Sequence, residues 1–133
     1  MLDDILLDLP LAFRCPSSGE TLDLNALLTP RPISTFYMRV AGHGLRSHGV
    51  FDGDLLVIDR SIPPSPGVLV VAEHRGEFLL RPLGREDGQW VLVPVRSGEV
   101  PIPVEVDNLD ESPLFGVAVH AVHHVGPQET RRR

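Results

Sequence analysis

Nucleophiles, bases and metal ligands are few in this sequence, and their types limit the chemistry. The 12 basic residues are all arginines; the chain holds no lysine. That excludes a Schiff-base lysine, a phosphate-loop lysine and a Ser–Lys dyad. Arginine cannot stand in as a general base, because the guanidinium keeps its proton up to a pH above about 12. What remains centres on histidine. Ser47 lies between His43 and His48, so a Ser–His pair could form; the plainer alternative is three solvated loop residues. His120, His123 and His124 invite a metal reading. Strand alternation puts His120 and His124 on one face and His123 on the other, so three ligands do not converge. No metal and no cofactor is expected. The single cysteine, Cys15, has no partner for an intrachain disulfide.

The chain has 133 residues, of which 42% are hydrophobic and 23% charged. This fits one globular domain with a core of its own. The formal net charge is −6, and no basic stripe offers itself to phosphates, so direct nucleic-acid binding is not expected. The start, Met1-Leu2-Asp3-Asp4, lacks the positive region of a signal peptide. No apolar run approaches the roughly 18 residues of a membrane span. The expected location is cytoplasmic, with no membrane partner.

The elements that would position such residues are mostly strands. Residues 1–22 read as an N-terminal arm: an apolar-acidic stretch (1–14) with Leu2, Ile5, Leu6 and Leu9 at helical spacing until Pro10, then a loop, CPSSGE (15–20). Asp23 to Leu28 predicts one short helical turn, stopped before Pro30 and Pro32. From Thr35 to Val40 the pattern alternates, with Phe36, Met38 and Val40 on one face. Leu55–Ile58 is a short apolar strand after the turn signal Asp52-Gly53. Val68–Ala72 and Glu77–Leu83 predict a hairpin around His74-Arg75-Gly76. Asp87-Gly88 separates the next pair of strands, which ends in Trp90–Val95, and the last strand is Leu114–Val125. The predicted fold class is all-β, a curved, barrel-like domain over 23–125, with a frayed tail at 126–133.

Two stretches, FYMRVAGHGLRSHGVFDGDLLVIDRSIPPSPGVLVVAEHRGEFLLRPL (36–83) and DESPLFGVAVHAVHHV (110–125), carry a family signal, as does DLNALL (23–28). They resemble the S24 self-cleaving peptidase family of UmuD and the LexA C-terminal domain. The Gly-Asp-Leu-Leu-Val-Ile-Asp block (53–59) and the later Gly-Glu-Phe block (76–78) are its most specific parts. UmuD is the nearer likeness, since no helix-turn-helix domain fits upstream; repressor function is not carried over. The resemblance implies a β domain of the LexA/UmuD type with a short N-terminal arm.

In that family a serine in a Gly-Asp-Ser-Met motif is deprotonated by a lysine on the strand after the Gly-Glu-Phe block. Here the motif reads Gly42-His43-Gly44-Leu45, and the lysine position falls on Arg81. The resemblance therefore implies a degenerate dyad, Gly44 and Arg81, and a pseudo-peptidase rather than an enzyme. Arg81 has two readings. It plugs the old groove or binds a carboxylate there, with Glu77, Glu73 or an interface carboxylate as candidates. The preferred reading leaves it partly exposed, with its stem packed and its head in water. Family members cut themselves at an Ala-Gly or Cys-Gly bond upstream. Here Cys15 precedes Pro16, and the only Ala-Gly pair is Ala41-Gly42. The short arm resembles the processed form of UmuD.

The implied function is that of a catalytically inactive accessory subunit of a Y-family translesion DNA polymerase in the SOS response. One alternative is a pseudo-peptidase regulator that heterodimerises with an active UmuD or LexA relative. Another is an S24-type serine peptidase with a different nucleophile. The implied partners are a second copy, the polymerase and the RecA filament. The last strand is expected to carry the dimer contacts, through Phe115, Val117, Val119 and His120. Protonation of such interface histidines near pH 6 would then weaken self-association. Leu6-Leu7-Asp8-Leu9-Pro10-Leu11 also resembles the short peptide that docks on the DNA polymerase sliding clamp, which would make Leu7, Leu9 and Leu11 contacts. Leu6 stands where that peptide has Gln, and the alternative is an arm that covers the chain's own groove or its dimer partner.

Overall fold

Asp23 opens the described chain as a helix cap. Its carboxylate accepts a hydrogen bond from the Asn25 amide at 3.0 Å, and helix α1, Leu24–Leu28, follows as the sequence predicts. The computed structural model describes residues 23–106 and 112–127. Leu7, Leu9, Leu11 and Cys15 of the arm, residues 107–111 and the tail from 128 lie outside the described residues. The chain divides into two units, Met1–Pro30 and Arg31–Arg133. Among the described residues no helix is long and apolar enough to cross a membrane.

The second unit carries seven strands: β1 Thr35–Arg39, β2 Leu55–Asp59, β3 Leu69–His74, β4 Glu77–Glu86, β5 Gln89–Leu92, β6 Ile102–Pro103 and β7 Leu114–Val122. They lie in the order β1-β2-β7-β3-β4-β5-β6, and every pairing is antiparallel. The expected all-β, barrel-like fold is what the strands build, as a curled half-barrel. Two-residue turns close both predicted hairpins. Arg75-Gly76 and Asp87-Gly88 all have positive φ, between 51° and 81°, the geometry that matches the twist of the flanking strands. β4 forms the corner: its first half pairs with β3 and its second half with β5.

Alternation along β3 explains the core. Val70 and Ala72 enter a cluster with Leu83, Leu92, Val104, Val106 and Val117. Val71 points the other way, into a cluster with Leu56 and Ile58. A strand buried on both faces reads as an unbroken apolar run, as this one does. Gly116 of β7 allows a close crossing, since a Cβ there would meet Ile58 Cγ2 at 2.6 Å. Gly116→Ala is therefore expected to cost about 1–3 kcal/mol by overpacking, read as a lower urea midpoint at unchanged slope.

Four expectations need correction. β5 ends at Leu92, not Val95, because Pro94 cannot donate to a ladder. β7 ends at Val122, not Val125, because His123 turns to bond Asp54 Oδ1 at 2.8 Å. The short β6 was not foreseen. Simple alternation along β7 also fails. Register shifts leave Phe115 and Val119 as extra residues against β3 and β2, so each is a bulge. Phe115 packs on the second cluster, while Val119 packs on the first and Val117 belongs to it. Val117, 5% exposed, serves the core and cannot be a partner contact.

Candidate functional site

A cleft forms where three segments meet: the loop after β1, the middle of β4 and the turn Val95–Glu99. Its volume is about 240 Å³, and Met38, Val40, Leu56, Val71 and Leu80 supply apolar walls. Gly44 and Arg81 both line it, although 37 positions separate them in sequence. The fold thus brings the two positions singled out by resemblance into one place.

Local hydrogen bonds hold the loop that carries Gly44. Val40 N donates to Asp54 O at 2.9 Å and Gly53 N to Val40 O at 2.8 Å. Gly42 N donates to the Asp52 carboxylate at 2.7 Å. Leu45 and Val50, both buried, anchor the two ends of the tight turn Arg46–His48. Asp54, itself buried, accepts from Phe51 N at 2.9 Å and from His123 Nδ1 at 2.8 Å. Burial pushes the Asp54 carboxyl up, but the Phe51 amide and the His123 ring outweigh this and hold it below its ordinary value. A depressed folded-state value means stability that is present above the unfolded value and lost as the pH falls. His123→Ala is therefore expected to make acid unfolding begin at a higher pH, followed by Trp90 fluorescence.

Arg81 departs from the preferred expectation. It is 9% exposed, not partly exposed, because the turn Val95–Glu99 lies against it. Its partner is neither Glu73 nor Glu77. Arg81 Nη2 lies 3.6 Å from Glu99 Oε2, and Nη1 donates to Val100 O at 3.4 Å. Both contacts are longer than the roughly 2.8 Å of a strong charge-assisted bond. Glu99 also accepts from the backbone amides of Val95 and Arg96, at 2.9 and 3.2 Å. These amides, then the nearby Arg81 and Arg96 charges, hold its carboxyl below its ordinary value against the opposing effect of burial. Arg96 lies across the glycine loop: a Cβ at Gly44 would come within 3.1 Å of its Nε. Sequence reading missed Arg96 and Glu99. The signal was the tetrapeptide Arg96-Ser97-Gly98-Glu99, with Gly98 at φ 88° turning the chain so that the glutamate meets the amides three and four residues back.

The other candidate residues sit elsewhere. Ser47 Oγ lies 3.4 Å from His48 Nδ1, both exposed and neither lining the cleft. Among the described residues, no carboxylate is hydrogen-bonded to His48, so a third member that would orient the ring is not in place. The three late histidines diverge: His120 lines a small cavity beside β7, His123 bonds Asp54, and His124 Nε2 faces Pro127 O at 3.1 Å. Phe115 meets the rings of Phe36 and Phe78 edge-on, at 5.3 and 5.6 Å.

Comparisons with known proteins agree with this architecture. Residues 12–119 match the family model Peptidase S24-like. Protein ImpA of Escherichia coli is 37% identical over 109 residues, covering 78% of this chain and 69% of that protein. Protein SamA of Salmonella typhimurium is 32% identical over 117 residues, covering 86% and 79%. The LexA repressor of Bordetella pertussis is 34% identical over 84 residues, covering 63% of this chain and 38% of the repressor. With the strand framework, the cleft and these matches in agreement, the chain belongs to the Peptidase S24-like family, that of UmuD and the LexA C-terminal domain.

Proposed function

We propose that this chain is a catalytically inactive, UmuD-like accessory subunit of a Y-family translesion DNA polymerase, acting as a homodimer in the response to DNA damage. The observation that carries this reading is the content of the cleft. The family's framework is in place, but Gly44 has no side chain to attack with, and Arg81 cannot take a proton at neutral pH. No lysine exists elsewhere in the chain to replace it. A scaffold can keep its partners after losing its chemistry.

The end of β7 supports self-association. β2 pairs with β7 as far as Val122, whereas β3 pairs only as far as Val117. Among the described residues, no strand covers the β3-side flank from Ala118 to Val122. Such a flank offers backbone groups to a second copy. The direct test is co-purification of tagged chain with its cognate polymerase, followed by a lesion-bypass assay. Retention of the polymerase and increased bypass are expected. Failure to bind either a cognate polymerase or a second copy would overturn the reading.

The same open flank would accept the matching strand of an active relative, which favours a second reading as a heterodimerising regulator. Mixing experiments separate the two. A regulator changes the relative's self-cleavage rate, whereas an accessory subunit changes bypass and leaves that rate unaltered.

A further inference from the structure

Besides Arg81, the cleft is lined by the charged residues Arg39, Arg96 and Glu99, and loss of the dyad alone gives no account of the pair on the turn, Arg96 and Glu99. We propose that Arg96 and Glu99 form a lock on the cleft, so that restoring a serine at position 44 and a lysine at position 81 does not restore a reactive hydroxyl. The inference rests on reading Gly44 and Arg81 as the lapsed dyad.

The first half of the lock is steric. A Cβ at Gly44 would meet Arg96 Nε at 3.1 Å, Arg96 Cγ at 3.3 Å and Val95 Cγ2 at 3.3 Å. A Cβ at Gly42 would meet Arg96 Nη2 at 3.2 Å. Arg96, an exposed side chain, therefore lies close against the place of a side chain at 44. A Cβ there already needs Arg96 to give by a few tenths of an ångström, and a serine hydroxyl adds to that crowding. Glu99 keeps the backbone of Arg96 in place, accepting its amide at 3.2 Å while its own amide donates to Arg96 O, also at 3.2 Å.

The second half is electrostatic. The same carboxylate presents Oε2 to the cation at position 81, at 3.6 Å. A lysine placed there meets a fixed negative charge, which favours its protonated form. A general base must be neutral to accept the serine's proton. One residue thus opposes both halves of the lost chemistry: through Arg96 it crowds the hydroxyl, and directly it keeps the amine charged.

The test compares wild type, Gly44→Ser/Arg81→Lys, and the same pair with Arg96→Ala/Glu99→Gln added, each treated with a fluorophosphonate probe. In the labelling step the serine Oγ forms a bond to phosphorus, the P–F bond breaks, fluoride leaves, and the lysine amine takes the hydroxyl proton. The expected result is no labelling of wild type, and labelling of the pair at under about a tenth of the quadruple variant's rate. Equal rates for pair and quadruple overturn the lock. Labelling of wild type overturns instead the reading of the chain as non-catalytic.

If neither variant labels, two further measurements decide. In Arg81→Lys the new lysine is the only one in the chain, so its Cε signal titrates alone. Its pKa should fall by at least about one unit when Glu99→Gln is added. Gly44→Ser should lower Tm by about 5 °C in wild type and by much less in the Arg96→Ala background. Absence of either difference overturns the lock.

Discussion

Replacing Asp59 with Ala is expected to cost the fold about 3 kcal/mol, the scale of removing one partner from a buried charged network. For a domain of this size that is a Tm drop of about 15 °C. Asp59 ends β2 and is 3% exposed. Its carboxylate accepts from Arg31 Nε at 2.8 Å, Ser34 Oγ at 2.9 Å, Ser61 N at 2.8 Å and Ser61 Oγ at 2.6 Å. One side chain therefore ties the approach to β1 to the exit from β2. The Ser61 hydroxyl first, then the Ser61 amide, Ser34 and Arg31, hold the carboxyl far below its ordinary value, against the upward push of burial. With the folded value depressed, the stabilisation is complete above the unfolded value near 3.8 and is lost as the pH falls below it. Asp59→Asn keeps the shape but not the charge, and should lose about half as much at pH 7. Both variants should show a flatter acid limb than wild type in chemical denaturation between pH 5 and about pH 2.

Val119→Asp is expected to weaken the proposed dimer by at least about a hundredfold, or about 3 kcal/mol. Val119 is a bulge residue on the stretch of β7 that only β2 pairs. Its side chain packs on the first core cluster, so a carboxylate there disturbs the flank of each copy, and the seam bears the cost twice. Sedimentation equilibrium measures the change. Because Val119 packs against the first core cluster, as Trp90 does, the fluorescence of that single tryptophan reports whether the variant monomer stays folded.

What the sequence revealed and what it hid divide along local and distant causes. The two hairpin turns were legible because Arg75-Gly76 and Asp87-Gly88 contain their own reason to bend, a glycine where φ must be positive. The cap at Asp23 and the stop before Pro30 were legible for the same kind of reason. The ends of β5 and β7 were not. β7 stops where His123 meets Asp54, a residue 69 positions earlier, and no window along the chain shows that pair. The bulges at Phe115 and Val119 change which face each side chain takes, and Val117, expected among the dimer contacts, falls in the core. The same division runs through the site. Gly44 and Arg81 could be addressed from motif and order alone. The burial of Arg81 depends on Glu99, which belongs to a separate turn and comes beside β4 only in the folded chain.

The most direct measurement of the central claim is the intact mass of the purified chain after prolonged incubation with activated RecA filament, beside an active UmuD-type relative as positive control. A single species at the mass of the uncut chain is expected while the control is fully processed. Two new species whose masses sum to the chain plus one water, from a cut at one bond, would contradict it.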